Sequence, residues 1–245
     1  MDAPWTPPGP PTPARGLGRI VFWVITGIAA ACLIGPLIAT AVTTRIYSGT
    51  STSMQPTLQV GDRLPVTLGE GFRRGDIVVL RVPTSGNLVV KRIIGLPGDH
   101  VACCNAAGKV TVDGKALDET YLHSGDQPSA ITFSVTLRPG QIWVMGDHRL
   151  ISMDSREWGP IPETDVVGPV LIILHGGATS SVRTPQTFVS NGLAPSGSRT
   201  PPFVWLIAIS GAGFVALIIL LILGVTRTIM RRRRGSPVPP TVQGW

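Results

Sequence analysis

Two long apolar stretches constrain the fold of this 245-residue chain more than any other feature. The first runs from Ile20 to Val42 and the second from Phe203 to Val225, and each has 23 residues without a charged side chain. A helix needs about 20 predominantly apolar residues to cross the hydrocarbon core of a bilayer. We therefore predict transmembrane helices at 20–42 and 203–225, with one folded domain between them.

The basic residues beside these stretches predict how the chain is oriented. The formal net charge is +7, but between Ile46 and Pro202 the 13 Lys+Arg residues are balanced by 13 Asp+Glu residues. The excess lies at Arg15, Arg19 and Arg45 and at Arg227 with the run 231–234. Cytoplasmic flanks of membrane spans are enriched in Lys and Arg, so we predict that both termini are cytoplasmic and the middle domain is outside. A nucleic-acid-binding protein would carry this charge on its folded domain, so we expect no nucleic-acid partner.

The first apolar stretch could instead be a cleaved secretory signal. Ala39-Thr40-Ala41 has the small-x-small pattern of a cleavage site. The apolar core of a signal peptide is usually about 7–15 residues long, however, and this stretch is longer. The length favours a retained anchor.

The composition along the chain predicts the remaining segments. Short β-branched runs separated by Gly, Pro and Asp turns predict a mainly antiparallel β domain, and Asp113-Gly114 is a hairpin signal. The N-terminal segment is rich in Pro and predicts a disordered tail, whereas Gly, Ser, Thr and Pro before the second span predict a flexible linker. The predicted segments are a cytoplasmic tail at 1–19, the β domain at 46–175, the linker at 176–202 and a basic cytoplasmic tail at 226–245.

The cysteines and histidines do not predict a metal site. Cys32 lies inside the first apolar stretch, and Cys103 and Cys104 are neighbours in the outer domain, where disulfides are permitted. Two free thiols, a bridge between neighbours and intermolecular pairing all remain open for Cys103 and Cys104. Because the chain has no CxxC repeat and no closely spaced histidine pair, we expect no metal ion and no organic cofactor.

Lys91 lies in an unusual place for a lysine, within the apolar run Leu88 to Ile94. On a strand, Lys91 shares a face with Val89 and Ile93. Burial lowers the pKa of a lysine, and a neutral lysine can serve as a general base for a serine nucleophile. A lysine that protects a sheet edge or extends to solvent is the alternative reading of this run.

Hydroxyl groups in the segment 51–58 could supply the nucleophile for such a base. Ser51 and Ser53 face the same side of an extended chain, so one could attack while the other stabilises the oxyanion. Met54, Pro56 and Leu58 indicate that the segment is packed rather than loose. A third segment, 146–156, carries charges of both signs around two serines, which indicates either a supporting polar network or an exposed charged loop.

Together these three segments resemble the bacterial type I signal peptidases. The family pattern S-x-S-M-x-P-T-L is present at 51–58, K-R-x-x-G-x-P-G-D at 91–99, and G-D-N-R-x-x-S-x-D-S-R, with one substitution, at 146–156. The match covers about Ser48 to Leu174. It implies a β-rich catalytic domain with a small β insertion at about 101–138, flanked here by two membrane helices. It also implies a multi-pass protein of the bacterial cell membrane that cleaves secretory preproteins.

The resemblance also implies roles for individual residues. Ser53 would be the nucleophile, Lys91 its general base, and Ser51 an oxyanion donor beside the Ser53 backbone N–H. Ser152 would hydrogen-bond Lys91, and we expect Met54 and Pro56 to contact substrate. The residues expected to support the site are Asp154, Arg156, Arg92, Asp147 and Arg149.

One position departs from the family pattern, because His148 stands where asparagine is usual. Histidine is the commonest general base, so a Ser53–His148–Asp triad is a rival mechanism. Among other functions, the nearest is a related Ser-Lys membrane protease dedicated to one substrate, or to itself. A membrane-tethered β domain that binds exported proteins without cleaving them is a further alternative, although such a domain has no need of both Ser53 and Lys91.

Overall fold

The computed structural model describes residues 15–194 and 201–234. Two units make up the chain: the long helices, with the described residues up to Ala39 and from Leu206, and a β-rich unit from Thr40 to Trp205. The elements in chain order are α1 (Arg15–Thr43), β1 (Thr44–Ser48), β2 (Arg63–Thr67), β3 (Ile77–Arg81), β4 (Leu88–Gly95), β5 (His100–Cys103), β6 (Thr111–Val112), β7 (Lys115–Ala116), β8 (Phe133–Thr136), β9 (Gln141–Met145), α2 (Ser155–Trp158), β10 (Ile161–Pro162), a 3-10 turn (Glu163–Asp165), β11 (Val166–Val170), β12 (Ile172–His175), β13 (Ala178–Ser181), α3 (Gln186–Ser190) and α4 (Pro202–Arg234).

Both helices of the first unit are long and apolar enough to cross a membrane, over Phe22–Thr43 and Pro202–Arg227. The helices extend beyond the predicted spans, since α1 already begins at Arg15 and α4 continues through the arginine run to Arg234. Gly213 on α4 lies against the α1 backbone at Cys32, where a Cβ atom would come within 3.0 Å. Small residues permit this close approach of helices. The predicted tails fall partly outside the described residues, at 1–14 and 235–245.

A nine-stranded antiparallel sheet forms the centre of the β-rich unit, with the strand order β10-β9-β4-β3-β11-β2-β12-β13 and β1 paired to β2. The predicted antiparallel β class is confirmed. Strand β4 lies between β3 and β9, and its register places Lys91 opposite Val78 and Arg92 opposite Ile77. Ile77, Val78 and Val79 of β3 and Ile93 and Ile94 of β4 are buried, so Lys91 and Arg92 are two buried cations in an otherwise apolar layer.

A smaller sheet with the order β7-β6-β5-β8 lies in the region of the predicted insertion. Its β6–β7 hairpin turns at Asp113 (φ 50°) and Gly114 (φ 74°), as the Asp-Gly pair predicts. Gly95, at the end of β4, gives this sheet room to pack, because a Cβ atom there would lie 2.5 Å from Val101 Cγ2. The glycine of the lysine motif therefore joins the two sheets closely.

The predicted linker at 176–202 contains two regular elements, which the prediction did not include. Residues 178–181 form β13 on the edge of the large sheet, and α3 follows at 186–190. Phe188 is fully buried in the core of the smaller sheet, and the Thr187 hydroxyl accepts a hydrogen bond from the Asp118 N–H at 2.5 Å. Phe188, the Thr187 hydrogen bond and the buried Leu193 thus hold a segment whose composition is otherwise that of a linker. Residues 195–200 of the predicted linker lie outside the described residues.

The alternatives for Cys103 and Cys104 are reduced to one. The two neighbours are joined by a disulfide at the end of β5. Cys32, within α1, is a free cysteine.

Candidate active site

Lys91 and Ser53 meet inside the β-rich unit. The Lys91 Nζ donates a hydrogen bond to Ser53 Oγ at 2.8 Å. Only 3% of Lys91 and 7% of Ser53 are exposed to solvent. When the lysine is neutral, the same contact can reverse, and the hydroxyl can then donate its proton to the amine lone pair.

Burial lowers the pKa of Lys91 to about 8. The charge of Asp154 opposes this effect and that of Arg156 adds to it. No carboxylate forms an ion pair with the Lys91 ammonium in the described part of the chain, so desolvation dominates. A substantial fraction of the lysine is therefore neutral at mildly alkaline pH.

The turn that carries Ser53 is fixed by its apolar neighbours. Met54 and Leu58 are buried in one core cluster, and the Leu58 N–H donates to the Met54 carbonyl at 2.9 Å. We predicted that Met54 contacts substrate. Only 2% of its surface is exposed, so almost none of it is available for a substrate contact, and the side chain anchors the turn. Pro56 remains exposed.

Ser51 lies where an oxyanion donor is expected, and its hydroxyl is already engaged. The Ser53 backbone N–H donates to Ser51 Oγ at 3.2 Å. The two groups that were predicted to form the oxyanion hole, the Ser53 N–H and the Ser51 hydroxyl, therefore lie next to each other. The carbonyl of Ser53 faces away and accepts a hydrogen bond from the His148 N–H at 3.0 Å.

Asp154 organises the segment behind the two reactive side chains. It is fully buried and accepts hydrogen bonds from the Ser152 hydroxyl at 2.8 Å, the Gly146 N–H at 2.9 Å and Arg156 Nε at 2.8 Å. Burial by itself raises the pKa of Asp154, but the hydrogen bonds and charge of Arg156, with those from Gly146 and Ser152, lower the pKa below its usual value. The surroundings of Asp154 thus favour its anionic form, and its charge acts on Lys91 without an ion pair between them among the described residues.

Gly146 has no space for a side chain. A Cβ atom there would lie 2.2 Å from Ser152 Oγ and 2.6 Å from the Ser53 carbonyl oxygen. The segment that follows β9 can therefore pack directly against the nucleophile turn only because this residue is glycine.

The hydrogen bond predicted between Ser152 and Lys91 is not formed among the described residues. The Ser152 hydroxyl donates a hydrogen bond to Asp154 at 2.8 Å, and the Lys91 ammonium donates to Ser53 Oγ. Ser152 thus acts on the site through Asp154.

Arg92, next to Lys91, forms a buried bidentate pair with Asp147. Its Nη2 and Nε lie 2.6 and 2.8 Å from the two carboxylate oxygens. Thr57 donates to the same carboxylate at 2.5 Å, and Arg92 Nη1 donates to the Gly75 carbonyl at 2.7 Å. This pair ties the serine motif, the lysine motif and the third motif together.

Sequence reasoning missed the partners of Arg149. Glu119, from the predicted insertion, pairs with Arg149 at 2.5 and 3.0 Å, and Tyr121 donates to Glu119 at 2.7 Å. Arg149 Nε in turn donates to the Gly146 carbonyl at 2.9 Å. Glu119 and Tyr121 stand in a segment without periodicity, so no sequence signal marked them, whereas Thr57 could have been found as part of the serine motif.

The rival triad is not assembled. The ring of His148 stacks on that of His123, with centroids 3.9 Å apart, and His148 Nε2 lies 3.9 Å from an oxygen of Asp126. Within the described part of the chain, the side-chain hydrogen-bond partner of the Ser53 hydroxyl is Lys91 and not His148.

Comparison with known proteins shows which family the chain belongs to. The sequence model of a family described as signal peptidase, peptidase S26, matches residues 20–175. Signal peptidase I U of Bacillus subtilis (strain 168) is 37% identical over 135 residues, which are 50% of this chain and 71% of that protein. Signal peptidase IB of Staphylococcus aureus (strain COL) is 33% identical over 172 residues, 62% of this chain and 87% of that protein.

A solved structure is also similar in part. The crystal structure of a signal peptidase I from Enterococcus faecalis V583 is 27% identical and covers 42% of this chain and 98% of its own, with a TM-score of 0.36. On the family match and the two relatives, the chain belongs to the signal peptidase family, peptidase S26. The resemblance predicted from the three motifs is confirmed, and the chain is a serine protease of that family.

Proposed function

We propose that this chain is a membrane-bound serine endopeptidase that removes N-terminal signal peptides from exported precursor proteins, with Ser53 as nucleophile and Lys91 as general base. The observation that carries the proposal is the 2.8 Å contact between Lys91 Nζ and Ser53 Oγ in a buried site. Burial holds the pKa of that lysine near 8, within reach of physiological pH. The family match and the signal peptidase relatives support the substrate class.

The reaction begins with neutral Lys91. As Ser53 Oγ attacks the scissile carbonyl carbon, its proton passes to Lys91 Nζ and the carbonyl oxygen becomes an oxyanion. The Lys91 ammonium then gives this proton to the leaving amine, the peptide C–N bond breaks, and an acyl-enzyme remains. Water attacks the ester carbonyl with neutral Lys91 as base, and the proton returned to Ser53 Oγ releases the product.

The oxyanion would be held by the Ser53 backbone N–H and the Ser51 hydroxyl. Their mutual hydrogen bond of 3.2 Å shows that the two groups are adjacent before substrate arrives. Substrate binding replaces this bond with two bonds to the developing negative charge, so both donors contribute most in the transition state. Asp154, Arg156, Arg92, Asp147 and Arg149 have positioning roles in this scheme.

An open sheet edge beside Lys91 supports binding of substrate as an extended strand. Strand β4 pairs with β3 from Leu88 to Arg92, but its pairing with β9 begins only at Arg92. Among the described strands, the second edge of Leu88–Lys91 is therefore unpaired. An extended peptide can add there by main-chain hydrogen bonds. We expect the residues at the first and third positions before the cut to be small.

The two apolar helices support a location in the cell membrane. Both pass the length and composition requirements of a span. The arginine excess beyond 20–42 and 203–225 supports cytoplasmic termini and an extracytoplasmic catalytic unit, with the lipid bilayer as a partner.

The test is cleavage of preproteins by the purified full chain in detergent. Wild type should release the mature protein at one site after a small-x-small sequence, and Ser53→Ala should not. A panel of unrelated preproteins distinguishes the general enzyme from one dedicated to a single substrate. Equal cleavage by folded Ser53→Ala would refute the assignment of the nucleophile.

A further inference from the structure

A second cluster of reactive side chains lies beside the candidate active site. His123 and Asp126 occupy a turn between β7 and β8, in which the Asp126 N–H donates to the His123 carbonyl at 3.0 Å. His148 follows β9. Each of the three offers one metal-binding atom, and these atoms all lie within 4.8 Å of one another. No spacing pattern marks this site, because the fold alone brings the two histidines together.

Asp126 has a buried oxygen without a partner. Only 1% of its side chain is exposed, and Oδ1 accepts no hydrogen bond in the described part of the chain. The other oxygen, Oδ2, accepts a long bond of 3.4 Å from the Leu150 N–H. The histidine atom nearest to Oδ1 is His148 Nε2, at 3.9 Å, and His148 Nδ1 is also buried without a partner. Unsatisfied buried polar atoms are rare in native proteins and point to a missing ligand.

His123 is held in a form suited to a metal ion. Its Nδ1 lies 3.1 Å from the Ser124 carbonyl oxygen. A carbonyl can only accept, so Nδ1 is the donor in this contact, and in the neutral ring Nε2 is the atom with a lone pair for a metal ion. A ligating histidine usually donates its other N–H to a carbonyl or carboxylate in this manner.

We propose that His123, Asp126 and His148 bind a divalent first-row transition-metal ion, for which Zn²⁺ is the probe. Two imidazoles and one carboxylate form a three-ligand set that leaves a fourth position for water. Mg²⁺ and Ca²⁺ prefer all-oxygen sites and do not match this set. The site is independent of the proposed peptidase function.

Metal binding requires a local rearrangement of the two rings. The two imidazole rings are stacked, with an angle of 13° between their planes. The lone pairs of the ring nitrogens therefore lie in nearly parallel planes and do not converge on one point. Zinc bonds of about 2.0–2.2 Å bring tetrahedral ligand atoms to roughly 3.4 Å from one another. The rings must therefore rotate out of the stack and the ligand atoms must move by about 1 Å. Both histidines are partly exposed, so this movement is not blocked by a closed core.

The ion would connect two loops that support the nucleophile. The His148 N–H donates to the Ser53 carbonyl, and the His123 N–H donates to the Asp147 carbonyl, each at 3.0 Å. Neither side chain hydrogen-bonds Ser53 or Lys91 among the described residues. We therefore assign the ion a role in fixing these loops and no part in peptide hydrolysis.

Zn²⁺ binding to the full chain is the direct test. Untagged protein in detergent, stripped of metal by a chelator and exchanged into chelator-free buffer, is titrated with Zn²⁺ against a chromophoric chelator. We expect one ion per chain, and at least tenfold weaker binding in His123→Asn, Asp126→Asn and His148→Asn. The matched controls are His100→Asn and His175→Asn, the other two of the four histidines, which should bind as wild type does. Zn²⁺ should also raise the thermal unfolding midpoint of wild type and of the controls only.

Co²⁺ provides a measurement on wild type that no folding defect in a variant can confuse. We expect visible d–d bands of a four- or five-coordinate ion, two paramagnetically shifted imidazole N–H signals, and no thiolate charge-transfer band. The absence of saturable Zn²⁺ binding would overturn the proposal. Wild-type affinity in the cluster variants, loss of affinity in either control, or thiolate ligation would do the same.

Discussion

Two neighbouring cations on β4 have opposite surroundings. Lys91 is buried with a hydroxyl as its hydrogen-bond partner, and burial lowers its pKa to about 8. Arg92 is equally buried, but the charge and hydrogen bonds of Asp147 outweigh its desolvation and raise its pKa above the usual value. Alternation along a strand sends the two side chains to opposite faces. One face thus holds a cation that can lose its proton, and the other holds one that cannot.

The difference shows how a single strand can serve chemistry and structure together. A lysine beside a carboxylate partner would stay protonated and could not act as a base. Arg92 takes Asp147 into a bidentate pair on the other face, which fits the fork of a guanidinium and a carboxylate. The reactive residue is the one left without a counterion in contact.

Lys91→Arg should have the largest effect of the changes considered, because residues 91 and 92 would then both be permanent cations. A guanidinium stays protonated at every relevant pH, so peptide cleavage should fall by on the order of 10⁴-fold or more. Initial rates on a preprotein measure this loss. The matched control is Lys109→Arg, since Lys109 is exposed and pairs weakly with Asp118 at 3.5 Å. An active Lys91→Arg enzyme would reject Lys91 as the base and return His148 to consideration.

Asp147→Asn should lower the stability of the folded protein, because Asp147 is the partner of Arg92 on the other face of β4. Removing one partner of a buried ion pair typically costs about 3–5 kcal/mol, because the remaining charge is left buried and unpaired. Chemical denaturation of wild type and variant measures the difference in free energy of unfolding. Asp118→Asn, which removes an exposed carboxylate, is the control and should cost little. A change below about 1 kcal/mol in Asp147→Asn would contradict the structural role of the pair.

Sequence reasoning found the reactive face more completely than the supporting one. Ser53 and Lys91 stood in recognisable motifs, and strand alternation separated Lys91 from Arg92. The motif did not reveal that Asp147 binds Arg92, because residues distant in sequence meet only through the pairing of β4 with β9. Glu119 and Tyr121 were missed because their segment between β7 and β8 has no periodicity, and only the fold brings Glu119 to Arg149.

The sequence predictions that the structure does not support also failed for physical reasons. A methionine next to a nucleophile can equally contact substrate or anchor the turn, and only the core contacts of Met54 decide between them. The composition around Phe188 is polar, so the sequence predicted a linker where one buried aromatic ring fixes the segment. The expected bond from Lys91 to Ser152 is not formed because the Lys91 ammonium donates to Ser53 Oγ, a contact between side chains that sequence motifs do not specify.

Ser51→Ala should lower the rate of cleavage less than Lys91→Arg does. It removes the hydroxyl donor but leaves the Ser53 N–H, and loss of one oxyanion donor costs about 10²–10³-fold in rate. Single-turnover kinetics should show the loss in the chemical step and leave substrate affinity nearly unchanged. Thr52→Val, at an exposed neighbouring position, is the matched control for removal of a hydroxyl. A loss below about threefold would remove Ser51 from the oxyanion hole.

The pH dependence of wild type should show the smallest effect, and it tests the lowered pKa directly. Neutral Lys91 is the active form, so kcat/KM should rise with pH through about 8 and level off above it. With that pKa, the neutral fraction grows from about one tenth at pH 7 to about nine tenths at pH 9, which is roughly a tenfold rise in rate.

The carboxylate of Asp154 offers a way to move this profile. Its charge raises the pKa of Lys91 against the dominant effect of burial. Asp154→Asn should therefore lower the pKa further and shift the rising limb to more acidic pH, even if the maximal rate falls because the Gly146 and Ser152 hydrogen bonds weaken. Glu163→Gln, in the 3-10 turn before β11, is the control and should leave the midpoint unchanged. A protonated lysine becomes easier to deprotonate when a neighbouring anion is removed. If the rising limb of the pH profile stays in place in Asp154→Asn, or moves to more alkaline pH, the titrating group is not Lys91.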